Sequence, residues 1–157
     1  MRRRAVIFLA SGAYLGYAPV ASGTFGTLGG VALYPVFEGL RRFSPALYVL
    51  SFLALVAAAV AIAGEAEEIF GEQDSGKITI DEAAGYVAAT LFVTPSIPAV
   101  IASFLLFRAF DVAKPWPAGY FDREIRGGPG VVLDDVIAGF YANLALRALF
   151  ALIGLAP

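Results

Sequence analysis

Cysteine and histidine are both missing from the 157 residues of this chain. Without cysteine there is no disulfide framework and no thiolate nucleophile. Without histidine, zinc centres of the usual kind, Ser-His-Asp catalysis and phosphohistidine chemistry are excluded as well. Any chemistry must be carried by carboxylates, lysine, arginine and hydroxyls. Charge is also scarce, at 15% of residues against about 25% in ordinary soluble domains. Apolar residues reach 59%, and one domain of this length cannot hide so much apolar surface in its own core. Part of it must face lipid or a very large partner interface, and the membrane is the expected environment. The net charge of −2 says little about partners; where the charges fall says more.

Arg2, Arg3 and Arg4 precede an uncharged run that lasts until Glu38. The run is too long and too glycine-rich for a signal peptide, so it reads as mature sequence with its N-terminus held on the cytoplasmic side. Apolar segments cover 5–20, 24–37, 45–63, 83–107 and 136–155, and nearly all charges lie between them. Residues 45–63 carry no charge and have about the length that crosses a bilayer core. The last segment carries Arg147, which either faces protein or water, or snorkels to an interface, the reading we favour. Residues 83–107 are interrupted by Thr94-Pro95-Ser96-Ile97-Pro98, and two prolines so close break a helix. Either this stretch is one kinked span, or it is a hairpin that returns residues 108–135 to the side of 65–82. Positive charge at Arg41 and Arg42 as well as at Arg108, Lys114, Arg123 and Arg126 sets the hairpin against a crossing at 45–63.

Four polar clusters could carry chemistry. The first, Gly16 to Thr27, is rich in glycine and hydroxyls; its amides and Thr24, placed to cap the following helix, could face an anion. Close packing of helices through small residues is the alternative. The second is Asp81-Glu82, two adjacent carboxylates opening an apolar helix, where complementing the helix dipole is the plain reading. Glu65, Glu67, Glu68 and Glu72 before it read as a solvated face. In the third, Arg108, Asp111 and Lys114 share one helical face, and Pro115 ends that helix. They form either a salt-bridge ladder or a site in which Asp offers a metal ligand while Arg and Lys neutralise phosphate oxygens. In the fourth, Asp122 to Arg126 leads through Gly127-Gly128-Pro129-Gly130 to Asp134-Asp135. An Asp pair in so apolar a setting is costly unless compensated, and a divalent cation compensates it directly.

Taken together and in order, Pro19 to Leu28, Asp81 to Gly85, Phe107 to Pro117 and Leu133 to Gly139 resemble the four motifs of the phosphatidylglycerophosphatase A family. Ser22 stands where that family usually has proline, a change that removes no ligand. The resemblance implies Mg2+-dependent hydrolysis of phosphatidylglycerophosphate to phosphatidylglycerol at the inner face of a bacterial membrane. It implies Asp81, Glu82, Asp111, Asp134 and Asp135 as metal ligands or acid-base groups. Arg108 and Lys114 would hold phosphate, assisted by Thr24. Water or an aspartate could be the nucleophile, although the D-x-D-x-[TV] arrangement of aspartyl-phosphate phosphatases is absent.

The expected fold is a single all-α domain over 1–157, a membrane-embedded bundle of short, broken helices around a carboxylate-rich site. Its expected partners are a phospholipid and the membrane, with no nucleic acid. A CDP-alcohol phosphotransferase is disfavoured because its spaced aspartate pattern is missing. A small cation transporter would need acids within its helices rather than at their ends. A structural subunit would tolerate loss of the carboxylates.

Overall fold

The computed structural model describes residues 2–155. Among them are helices and connecting turns and no strand, as expected. Helix α1 (Arg2–Ala10) and a 3-10 turn (Leu15–Tyr17) lead into α2 (Ser22–Phe43) and α3 (Pro45–Phe70). A nine-residue connection precedes α4 (Ile80–Ala89), followed by α5 (Ile97–Ala113), the short α6 (Ala118–Glu124) and α7 (Gly128–Leu152).

Local chemistry sets the boundaries. Ser44 is extended, its hydroxyl accepts from the Leu47 amide at 3.3 Å, and Pro45 takes the first position of α3, where its missing N–H costs nothing. The same device opens α5: Ser96 accepts from the Ala99 amide at 3.2 Å and Pro98 sits in the first turn. Gly71 at φ 67° ends α3 in the left-handed conformation that glycine adopts without strain.

Two helices, α3 and α7, are long and apolar enough to cross a membrane. The most apolar window of α3 is largely exposed, with Leu50 and Leu53 among its outward residues. A helix that is apolar on its open face suits lipid rather than water. By contrast α4 is walled in by α2, α3, α5 and α7, and Ala84 through Ala89 are all buried. Small residues allow this. A Cβ at Gly85 would come within 2.6–2.8 Å of the Phe107 ring and the Asp135 carbonyl, and one at Gly139 would strike the Gly85 carbonyl. The core around α4 is therefore built on direct backbone approach.

Residues 83–107 form the hairpin rather than a single kinked span. Its arms are unequal: α4 stops after ten residues, whereas α5 runs for 17, beyond the apolar segment, to Ala113. The turn between them lies at the end of the bundle opposite Asp81 and Glu82. There Pro95 sits beside Glu38 and Arg42, and the Phe92 amide donates to the Tyr48 hydroxyl at 3.0 Å. Both arms thus bring their charged ends to one end of the molecule. Arg41 and Arg42 therefore lie at the end opposite Arg108 and Lys114, where both pair with the one carboxylate of Glu38, at 2.6 and 2.8 Å.

Arg147 corrects the snorkelling expectation. Its guanidinium donates to the Asn143 side chain and to the carbonyls of Leu91 and Phe92, at 2.8, 2.9 and 3.1 Å. Asn143 itself donates to Ala89 and Leu91. The early end of α4 strands backbone carbonyls, and these two α7 side chains satisfy them. The glutamates before α4 are likewise more than a solvated face: Glu67 accepts from the Asp74 amide at 2.7 Å and Glu72 from the Ser75 hydroxyl at 2.8 Å, tying down the connection to α4.

Candidate active site

The carboxylates gather where the first turns of α2 and α4 and the second turn of α7 meet the C-terminal end of α5. Asp81 is buried and Glu82 half-buried in the first turn of α4. Asp135, about two turns into α7, comes against them because α7 lies on Gly85. One oxygen from each of Asp81, Glu82 and Asp135 lies within 4.8 Å of the other two. Magnesium binds oxygen at about 2.1 Å, so opposed ligands stand about 4.2 Å apart; small side-chain adjustments close this trio on one ion. Asp81 Oδ1 and Glu82 Oε2 are buried with no hydrogen-bond partner among the described residues. Buried, unpaired carboxylate oxygens are costly, and a divalent cation is the group that fits them.

Burial, with the neighbouring Asp74 charge, pushes the Asp81 carboxyl up to about 6. Burial raises Glu82 well above the ordinary carboxylate range, reinforced by the Asp81 charge beside it and, more weakly, by Asp111. Arg108 acts in the opposite direction.

Two cations complete the cluster. Arg108 Nη1 pairs with Asp111 Oδ2 within one helical turn. Lys114 ends α5 in a left-handed conformation, φ 43°, uncommon for a residue with a side chain. It bridges two carboxylates, Asp122 at the C-terminal part of α6 and Asp134 at 2.7 Å on α7. Burial alone would lower the Lys114 ammonium, but hydrogen bonds to Asp122 and Asp134 override it and hold the charge. The remaining oxygen of Asp134, Oδ1, is buried without a partner.

Of the five acids singled out in the sequence, the structure thus sets Asp81, Glu82 and Asp135 as the trio. It gives Asp134 to Lys114 on one side and gives Asp111 to Arg108. Thr24 does not cap α2. The helix begins at Ser22, with Ala21 at the cap position, and Thr24 lies in its first turn. The glycines of this motif serve the site by leaving room. A Cβ at Gly23 would collide with Glu82 Oε1 and stand 2.9 Å from Arg108 Nη1; one at Gly26 would stand 2.9 Å from Glu82 Oε2. Small-residue packing is the role they play, and what they pack against is the acid cluster itself.

Asp122 had no assigned role in the sequence reading. Only its place after the K-P-x-P turn could have pointed to it.

Fold and site together define a helical protein with membrane-length apolar helices and a carboxylate centre flanked by two cations. The model of the family Phosphatidylglycerophosphatase A matches residues 8–150. The chain is 34% identical over 133 residues to the phosphatidylglycerophosphatase A of Escherichia coli, covering 83% of this chain and 75% of that one. It is 34% identical over 143 residues to that of Haemophilus influenzae, covering 90% and 86%. A relative from Bacteroides thetaiotaomicron, 30% identical over 154 residues and covering 94% and 95%, bears the provisional name phosphatidylinositol-3-phosphatase. No solved structure matches the chain. This chain belongs to the phosphatidylglycerophosphatase A family.

Proposed function

We propose that this protein hydrolyses the terminal phosphomonoester of phosphatidylglycerophosphate, giving phosphatidylglycerol and inorganic phosphate, with Mg2+ and at the inner face of a bacterial membrane. The observation that carries this reading is the trio Asp81, Glu82 and Asp135, with two of its buried oxygens unpaired, next to the Arg108 and Lys114 cations. Family membership supports the phosphatase chemistry and the lipid substrate. The carboxylates collect at one end of the bundle instead of lining a path through it, which disfavours a transporter.

Asp81, Glu82 and Asp135 would hold the ion. Bound there, Mg2+ supplies charge neutralisation at the phosphoryl group and makes a water nucleophilic near neutral pH. Arg108 exchanges part of its pairing with Asp111 for two phosphate oxygens, a geometry its planar fork suits. Lys114 contributes a second positive charge from its position between Asp122 and Asp134. Its bond to Asp134 Oδ2 orients that carboxylate so that Oδ1 can accept the proton of the attacking water. The P–O bond to the glycerol breaks as the water oxygen bonds to phosphorus; the departing glycerol oxygen takes a proton from solvent, and Asp134 returns the one it accepted to solvent.

Headgroup selectivity is the direct test. Phosphate release from phosphatidylglycerophosphate and from phosphatidylinositol 3-phosphate is compared in the same detergent with Mg2+. We expect turnover of the first to exceed the second by at least ~100-fold, the discrimination available when a polar site loses its partner. Preference for the inositol lipid would move this protein to the other activity named among its relatives.

A further inference from the structure

We propose that the groove between α2 and α5 is the substrate's acyl-chain site, holding one fatty chain while the headgroup runs past Arg108 to the carboxylate trio. This rests on the lipid phosphatase reading above. The groove has a volume of about 230 Å³ and is walled by Leu28 and Val31 of α2 and by Val100, Ile101, Phe104 and Leu105 of α5, with no polar atom exposed along it. Leu28, Ile101 and Leu105 are all exposed, so nothing in this protein fills it.

Continuity with the catalytic end selects the occupant. On α2, Thr24, Leu28 and Val31 follow at i, i+4 and i+7 and share one face. On α5, Ile101, Phe104, Leu105 and Arg108 share one face by the same spacing. The two faces that wall the groove therefore end at Thr24 and Arg108, where Gly23 lets α2 approach the guanidinium. From Val100 to Arg108 the groove wall rises roughly 12 Å. A glycerol and a phosphodiester separate the cleaved phosphate of this lipid from its acyl chains, so the headgroup spans from the carboxylate trio past Arg108 and the chain enters the apolar wall beyond it, as a phospholipid entering sideways from the bilayer would. A larger apolar hollow, about 410 Å³, borders Leu33, Leu55 and Ala83 on the other flank of α2. It meets α4 at Ile80 and Ala83, away from the Glu82 carboxylate, which faces Gly23 and Gly26.

The test compares dioleoyl and dihexanoyl phosphatidylglycerophosphate in mixed micelles, using wild type, Leu28→Trp, Leu105→Trp and, as control, Leu144→Trp on the outer face of α7, 64% exposed. Filling the groove should raise KM for the long-chain lipid at least ~10-fold, the loss of about two buried methylenes. It should leave kcat near the wild-type value and raise the short-chain KM less, because a hexanoyl chain fills only the headgroup end of the groove, with the control like wild type. Should Leu28→Trp fail to fold, Leu105→Trp carries the test, because that side chain is 62% exposed. Equal effects on both lipids, or none on either, in an active enzyme overturn the groove assignment alone. A folded wild type that releases phosphate from neither lipid overturns the phosphatase reading and the groove with it.

Discussion

At the scale of single residues, the acids of the site divide by what already neutralises them. Asp111 has Arg108 and Asp134 has Lys114, whereas Asp81, Glu82 and Asp135 converge. The account therefore expects Asp135→Asn and Glu82→Gln to weaken Mg2+ binding in calorimetric titration, and Asp111→Asn to weaken it less. Protons compete for the same oxygens. Because burial raises both Asp81, to about 6, and Glu82, Mg2+ affinity should rise with pH through about 6 and beyond as the protons leave; a profile flat between pH 5 and 8 would contradict this. Asp122 touches no partner of the trio but shares Lys114. Asp122→Asn should lower kcat about 10-fold, the scale of a lost supporting hydrogen bond to a site residue, without changing the Mg2+ requirement. The carboxylates were legible in the sequence because paired acids beside apolar runs need a reason. Asp122 was not, because an acid in a charged loop needs none. Thr24 was misread as a cap because helix starts in glycine-rich segments depend on which backbone contact wins, here the approach of Gly23 and Gly26 to Glu82.

At the scale of elements, glycine position decides where helices can touch. Gly26 and Gly29 lie three residues apart on α2 with opposite surroundings. A Cβ at Gly26 would meet Thr79 and Glu82 at 2.7 and 2.9 Å, whereas at Gly29 its nearest contact is Leu15 at 3.9 Å. Gly29→Ala should therefore stabilise the protein by up to ~1 kcal/mol through helix propensity alone. Gly26→Ala should destabilise it and reduce turnover. Thermal melts of the two variants in one detergent check both signs. The breaks at Ser44-Pro45 and Ser96-Ile97-Pro98 could be read ahead because capping serines and prolines act locally. The unequal hairpin could not, because the early end of α4 is held by Asn143 and Arg147, more than 50 residues away in sequence.

At the scale of the whole molecule, the charges sort to two ends. The carboxylate centre, Lys114 and Arg108 occupy one; Glu38, Arg41, Arg42 and Arg147 occupy the other. The proposed cytoplasmic orientation of the site can be tested with single cysteines introduced into this cysteine-free chain. Gly76→Cys should react with an impermeant thiol reagent only in inside-out vesicles, and Phe43→Cys only in right-side-out ones; the reverse pattern would place the site outside. An all-helical fold with membrane-length apolar helices was readable from the long apolar segments, the clearest of which, 45–63, lies within α3. Which ends face each other was not, since that follows from contacts such as Gly85 with Asp135 that no local pattern encodes.

The central claim, that the Asp81–Glu82–Asp135 cluster makes this protein a metal-dependent lipid phosphatase, meets its most direct test in phosphate release from phosphatidylglycerophosphate. Wild type and Asp135→Asn, matched for melting temperature in detergent, are assayed with Mg2+, with EDTA, and with Mg2+ restored. The account predicts release by wild type that EDTA abolishes and Mg2+ restores, with a loss of at least ~100-fold in Asp135→Asn, comparable to removing a main electrostatic stabiliser of the transition state. Release that persists in EDTA, or a folded Asp135→Asn with wild-type turnover, would contradict it.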